Sequence, residues 1–182
     1  MANLKFWGVQ GSCPGTSFSD TLGCNTSCVS IEANNNLIIL DAGSGLRILS
    51  NNLTVTDYDN VILIITHSHW DHVQGFPFFK YLFSNCTINI YSHNSSHYDA
   101  LRNQLNGTNF PLDFNNIVAN INLIKSLDEL NSIFKINVST INTNHHGDCI
   151  GIRMKGSDFD ITYIPDNQLH NTGIQTTSKD EF

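Results

Sequence analysis

The sequence predicts an α/β fold, and three observations predict it. A continuous apolar run, Val61-Ile62-Leu63-Ile64-Ile65, has the β-branched density of a strand covered on both faces. Behind it comes Thr66-His67-Ser68-His69-Trp70-Asp71-His72, a polar cluster of the kind found where a strand leaves its sheet and turns into a helix. On either side, short alternating or apolar segments recur between turn residues, with helical patterns among them. The histidines therefore fall at a strand's carboxyl end, the edge where open α/β sheets bind ligands.

Leu4 to Val9 alternates as a first strand, and Gln10-Gly11-Ser12-Cys13-Pro14-Gly15 breaks it into a loop that runs to about Asn25. Cys28 to Glu32 and Leu37 to Leu40 flank Asn34-Asn35-Asn36 as a hairpin, with a helix from Ser44 to Leu49 behind it. From Val73 to Phe83 the chain contains Gly75-Phe76-Pro77-Phe78-Phe79, too apolar for an exposed loop; it packs between sheet and helices or walls a substrate pocket. Cys86 to Tyr91 is the next strand and Ser95 to Leu105 a helix ended by Asn106-Gly107, with His93 and His97 read as surface or cap residues. Beyond a linker that begins at Phe110-Pro111-Leu112, Ile117 to Ile124 and Ile133 to Ile141 alternate as strands of a second half. Cys149 to Met154 and Phe159 to Ile164 form a closing hairpin.

The spacing of the polar residues carries the chemistry. His67 and His69, two apart, leave the same face of an extended backbone and can grip one ion, while Asp71 and His72 on the following turn can serve a second. Asp41 is brought to the same edge by its strand. It can accept the free N–H of a ligating histidine and fix its tautomer, or cap the helix after it, or do both. Asn144-His145-His146-Gly147 is another polar cluster after a strand; neighbours there point opposite ways, so one of the two histidines can reach the metal. At Pro165-Asp166 a carboxylate again ends an apolar strand, where its two oxygens can bridge two ions.

Thr-His-Ser-His-Trp-Asp-His resembles the signature of the metallo-β-lactamase fold superfamily. The turn Leu40-Asp41-Ala42-Gly43-Ser44-Gly45, the cluster Asn144-His145-His146-Gly147 and the strand end Tyr163-Ile164-Pro165-Asp166 are similar to its later motifs, in the same order. The resemblance implies a four-layer αβ/βα sandwich holding one or two metal ions, usually zinc, with Mn or Fe also suited to His and carboxylate ligands. It implies His67, His69, Asp71, His72, His145 and Asp166 as metal ligands, with Asp41 behind them. Gly8-Val9-Gln10-Gly11-Ser12-Cys13-Pro14, with Gly23-Cys24-Asn25-Thr26-Ser27-Cys28 after it, resembles the phosphodiesterase-like branch related to RNase Z and cyclic-nucleotide phosphodiesterases. The sequence departs from the pattern at its end. The second half is incomplete at the C-terminus, and the final histidine of the family is missing unless His170 replaces it. A truncated chain, a ligand from another subunit, and a single or weakened metal site all remain open. The unpaired sheet edge this leaves predicts a homo-oligomer or a fragment.

Length and charge narrow the function. The 182 residues, 40% of them hydrophobic, suit one domain spanning 1–182. A net charge of -7 argues against a broad surface for duplex nucleic acid, whereas an acidic shell around a cationic pit suits a small anionic substrate. The five cysteines are scattered and odd in number, as expected of reduced thiols; Cys24 and Cys28 lack a second pair for a zinc site. The start of the chain has no basic-then-apolar segment and no stretch is long enough to span a membrane, so the expectation is a soluble cytoplasmic protein. The expected activity is hydrolysis of a small phosphodiester, with Asp71 catalytic through a metal-bound hydroxide. The alternatives are a non-catalytic or single-metal binding module and a hydrolase of another ester, thioester or lactam class.

Overall fold

The structure, a computed structural model, describes residues 2–15 and 23–169. His170, weighed above as a final ligand, lies outside them. Six strands form one sheet in the order β1 (Asn3–Gly8), β2 (Cys28–Ala33), β3 (Asn36–Leu40), β4 (Asn60–Ile64), β5 (Thr87–Tyr91), β6 (Asn120–Ile124). β1, β2 and β3 pair antiparallel, and β3 to β6 pair parallel. A second, antiparallel sheet consists of β7 (Asn137–Asn142), β8 (Ile150–Lys155) and β9 (Asp160–Tyr163).

Period-2 alternation sorts the buried side chains of the first sheet onto two cores. Leu37, Ile39, Val61 and Leu63 face one core, shared with α1 (Gly45–Asn52), α3 (Ser95–Gln104) and the buried rings of Phe76 and Phe79. Ile38, Leu40, Ile62 and Ile64 face the other, where Val138, Ile150, Ile152 and Met154 of the second sheet meet them. β3 and β4 are thus covered on both faces, as their unbroken apolar runs require. The described layers are helices, sheet and sheet. Among the described residues the expected αβ half shows its sheet and helices, and the second half its sheet, with Leu130 and Phe134 of the helix before it in the shared core.

Three expectations need correction. Ile117 to Ile124 does not join the second half: β6 pairs in parallel with β5 at the edge of the first sheet. Ile133 and Phe134 are not strand residues but the end of α4 (Leu127–Phe134), capped at Ser126, whose hydroxyl accepts the Glu129 N–H, and closed by Lys135 at φ 52. His97 is not on the surface. It is buried on α3, although His93 is exposed.

Candidate metal centre

The carboxyl end of β4 and the start of α2 (Trp70–Val73) deliver four of the expected residues, and the loops after β7 and β9 deliver the other two. Two groups of ligand atoms result, each with its members within 4.8 Å of one another: His67, His69, His145 and Asp166, and Asp71, His72 and Asp166. His146 falls in neither. Asp166 Oδ2 lies 3.2 Å from His145 Nε2 and 3.7 Å from His67 Nε2, while Oδ1 lies 3.5 Å from His72 Nε2. One carboxylate therefore shows an oxygen to each group. His69 Nδ1 is 3.0 Å from His145 Nε2, so these two rings also aim their nitrogens at one point.

Asp41 organises what stands behind this arrangement. Fully buried, its carboxylate accepts the Thr66 N–H at 2.9 Å, the Thr66 hydroxyl at 2.9 Å, His72 Nδ1–H at 2.8 Å and the Tyr163 hydroxyl at 3.0 Å. Thr66 Oγ1, having given its proton to Asp41, accepts from His67 Nδ1 at 3.2 Å. This network assigns both tautomers. His67 and His72 carry their protons on Nδ1, and both Nε2 atoms are buried without a hydrogen-bond partner. A buried nitrogen lone pair with no donor is costly. Two of them, aimed at the same carboxylate, fit a pair of cations. Asp41 makes no cap bond to α1, whose N-cap is Ser44, with no side-chain bond to the helix's own N–H groups, so of its two expected uses only the hydrogen bonds to the histidine side are seen.

The charges have the same sense. Burial pushes His67 down to about 3, helped by the neighbouring His72. Burial also pulls on His72, yet without an ion the Asp41 and Asp166 carboxylates overcome it and lift this ring to about 10, so that a proton on Nε2 takes the place a cation would fill. The contact with His72 holds Asp166 below the usual carboxylate range. At 3.5 Å the His72–Asp166 pair is long for a hydrogen bond, leaving room between them. Carboxylates that favour a proton on His72 favour a metal cation in its place.

Backbone packing holds the parts in register. Gly43 abuts α2 so closely that a Cβ there would lie 2.3 Å from the Asp71 carbonyl oxygen. The Ile150 N–H reaches the Thr66 carbonyl at 3.2 Å and ties β8 to the end of β4. Asn144 accepts the Gln168 N–H at 2.9 Å, joining the loops that carry His145 and Asp166.

Four contributors were not expected. The Ser12 N–H donates to Asp71 Oδ2 at 2.8 Å from a residue at φ 63, and nothing in a glycine-rich turn announces that contact. Thr66 adjoins His67 and Tyr163 lies three residues before Asp166, but their hydrogen bonds to Asp41 are tertiary. His97 had a signal: His97, Leu101 and Gln104 follow i, i+4, i+7 spacing, the mark of a buried helix face. Burial lowers its pKa, and the neutral ring lies 2.8 Å from Ser92 Oγ through Nδ1 and 3.1 Å from the Gly147 carbonyl through Nε2. A carbonyl can only accept, so Nε2 carries the proton and holds the turn after His145. Gly147 is at φ +77, and a Cβ there would come within 3.2 Å of His69 Nε2.

Residues 21–157 match the metallo-beta-lactamase superfamily. The chain belongs to that superfamily. No curated protein matches it by sequence. Among solved structures, the fold is similar to that of human tRNase Z, short form, at TM-score 0.63 and 17% identity, covering 95% of this chain and 73% of that one. The metallo-beta-lactamase fold protein YhfI from Bacillus subtilis aligns at TM-score 0.59 and 16% identity, over 91% of this chain but 62% of its own. A diphosphatase from the PhnP family aligns at TM-score 0.56 and 16% identity, over 85% and 62%. The chain thus spans somewhat under two thirds of two of these three relatives. Among the described residues no helix is long and apolar enough to cross a membrane.

Proposed function

We propose that this chain is a metal-dependent hydrolase acting on a small phosphodiester. The observation that carries the reading is Asp166, whose two oxygens face two separate groups of ligand atoms, each with one buried, bare imidazole nitrogen, Nε2 of His67 in the first and Nε2 of His72 in the second. His67, His69 and His145 would hold one divalent ion and Asp71 and His72 the other, with Asp166 shared. Zinc is the natural occupant of such imidazole and carboxylate sets, and Mn or Fe also suits them. The ions would supply water ionised near neutral pH and positive charge for the phosphoryl oxygens.

The chain's own residues do the rest. Asp41 keeps the protons of His67 and His72 on Nδ1, so that Nε2 of each ring is presented to the site. The Ser12 N–H fixes Asp71, which is placed to orient the attacking water and accept its proton. The chain's acidic surface repels polyanions, while a doubly cationic pit admits a small anion. The phosphodiester preference draws support from the glycine-rich opening and from two structural relatives named as a tRNase and a diphosphatase.

The test is elemental analysis of the purified chain together with turnover of bis(p-nitrophenyl) phosphate. We expect about two ions per chain, turnover lost on chelation, and turnover abolished in Asp71→Ala. Wild-type rates in a folded Asp71→Ala chain would remove Asp71 from the mechanism. Bound metal without turnover on diester, thioester, lactone or lactam substrates would favour the non-catalytic module.

A further inference from the structure

His145 rides on the loop between β7 and β8, which is held from several sides. Thr143 closes its base, donating both its N–H, at 2.9 Å, and its hydroxyl, at 3.3 Å, to the Cys149 carbonyl. On one side of His145, Asn144 is bonded to Asn167 and Gln168. On the other, Gly147 and Asp148 take left-handed backbone, at φ 77 and φ 52, and meet the first turn of α3. His97 supplies one contact there, through the Gly147 carbonyl. A second contact has no part in the mechanism above: Asn94 Nδ2 donates to Asp148 Oδ2 at 2.8 Å.

Asn94 is also the N-cap of α3, where its Oδ1 accepts the Ser96 N–H at 3.0 Å and satisfies one of the helix's free donors. The two bonds fix the amide's orientation independently, because a backbone N–H can only donate and a carboxylate only accept. Residue type matters at both ends of the contact. Asp and Ser cap a helix as well as Asn does, but Asp has no donor and Ser must cap and donate from one short-armed oxygen. At φ 52, Asp148 occupies a conformation that Asn and Asp adopt more readily than other side chains with a Cβ.

We propose that Asn94 is a positioning residue for His145: one side-chain amide both starts α3 and tethers the ligand loop to it through Asp148. The proposal rests on the metal-centre reading, since the tether bears on ion binding only with His145 as a ligand. The bond lies near the surface and adds little to overall stability. What it supplies is direction, on the side of the loop that would otherwise rely on the His97 contact.

Donor and acceptor can be exchanged to test this in the full chain. Asn94→Asp keeps the cap but sets a carboxylate against Asp148. Asp148→Asn keeps an acceptor for Asn94 and tolerates left-handed backbone, so it removes the charge without the bond. Both substitutions together restore a donor opposite an acceptor, in the reverse direction. We expect Asn94→Asp to weaken cobalt(II) binding at the three-histidine group about threefold, measured by competition with a chelator, and to lower the amide order parameters of His145 and Asp148 in the metal-free chain. Asp148→Asn and the double variant should stay near wild type in both, with the urea midpoint of the metal-free chain little changed throughout. Unchanged affinity in Asn94→Asp, or a loss that the double variant does not recover, overturns the proposal. So does an equal loss in Asp148→Asn, which would assign the effect to charge. A wild-type chain that binds no cobalt sinks the metal-centre reading, and the order parameters of the metal-free variants then decide the tether by themselves.

Discussion

The six-stranded sheet delivers His67, His69, Asp71 and His72 from one strand end, within six consecutive residues, whereas the three-stranded sheet delivers His145 and Asp166 from two separate loops. The difference shows in their settings. The side chains of His67 and His72 are 0% and 1% exposed and tied to Asp41 directly or through Thr66, while those of His145 and Asp166 are 15% and 31% exposed. One half of the centre is fixed by the fold before any ion arrives. The other half depends on how well its loops are held. Local sequence density therefore coincides with rigidity here, and the distant residues rely on tertiary supports.

The largest expected effect comes from the rigid half. Asp41→Ala strands the Thr66 and Tyr163 donors and the His72 N–H in a dry interior, and we expect a loss of about 3 kcal/mol or more in folding stability. Urea denaturation of the metal-free chain measures it. An unchanged midpoint would show that the first half is not held from behind as described.

A smaller effect tests the second half. His97→Ala frees the turn after His145, and we expect affinity for cobalt(II) at the three-histidine group to fall about tenfold, measured by competition with a chelator. His97→Gln, whose amide can still donate to the Gly147 carbonyl, should recover part of the loss. Equal affinity in all three chains would mean that His97 fills space without positioning His145.

The smallest effect lies where the two halves meet. Tyr163→Phe removes the hydrogen bond from β9 to Asp41 while leaving the other donors in place, and should cost about 1 kcal/mol. A double-mutant cycle with Asp41→Ala should show coupling between the two positions. Strict additivity would mean that the contact does not join the sheets energetically.

Much of this was legible in the residues, and the rest has identifiable causes. The apolar run Val61 to Ile65 and the polar cluster behind it locate strand, turn and helix because burial on two faces leaves so few alternatives. Asp41, His145 and Asp166 each follow an apolar strand, and that position, more than their type, brings them to one edge. The pairing of β6 was not legible. Alternation in Ile117 to Ile124 shows a strand but not which sheet receives it, since a parallel partner can be chosen only once the intervening helix is placed. The helix Leu127–Phe134 carries a local signal of its own: Ser126-Leu127-Asp128-Glu129 is a helix-start pattern, and the apolar residues after it belong to a helical period. The Ser12 contact with Asp71 depends on where a turn lands across the molecule, which no local pattern encodes.

The sharing of Asp166 has a consequence for the life of the chain as well as for its chemistry. A cation gripping His67 and Asp166 at once joins points far apart along the polypeptide and links the two sheets as a crosslink does, through a contact that an unfolded chain cannot make. Loading would then be linked to folding, so that the supply of ions raises the population of the closed form. Scarcity of metal would be felt first in the three-stranded sheet, whose residues have the fewest other ties to the centre.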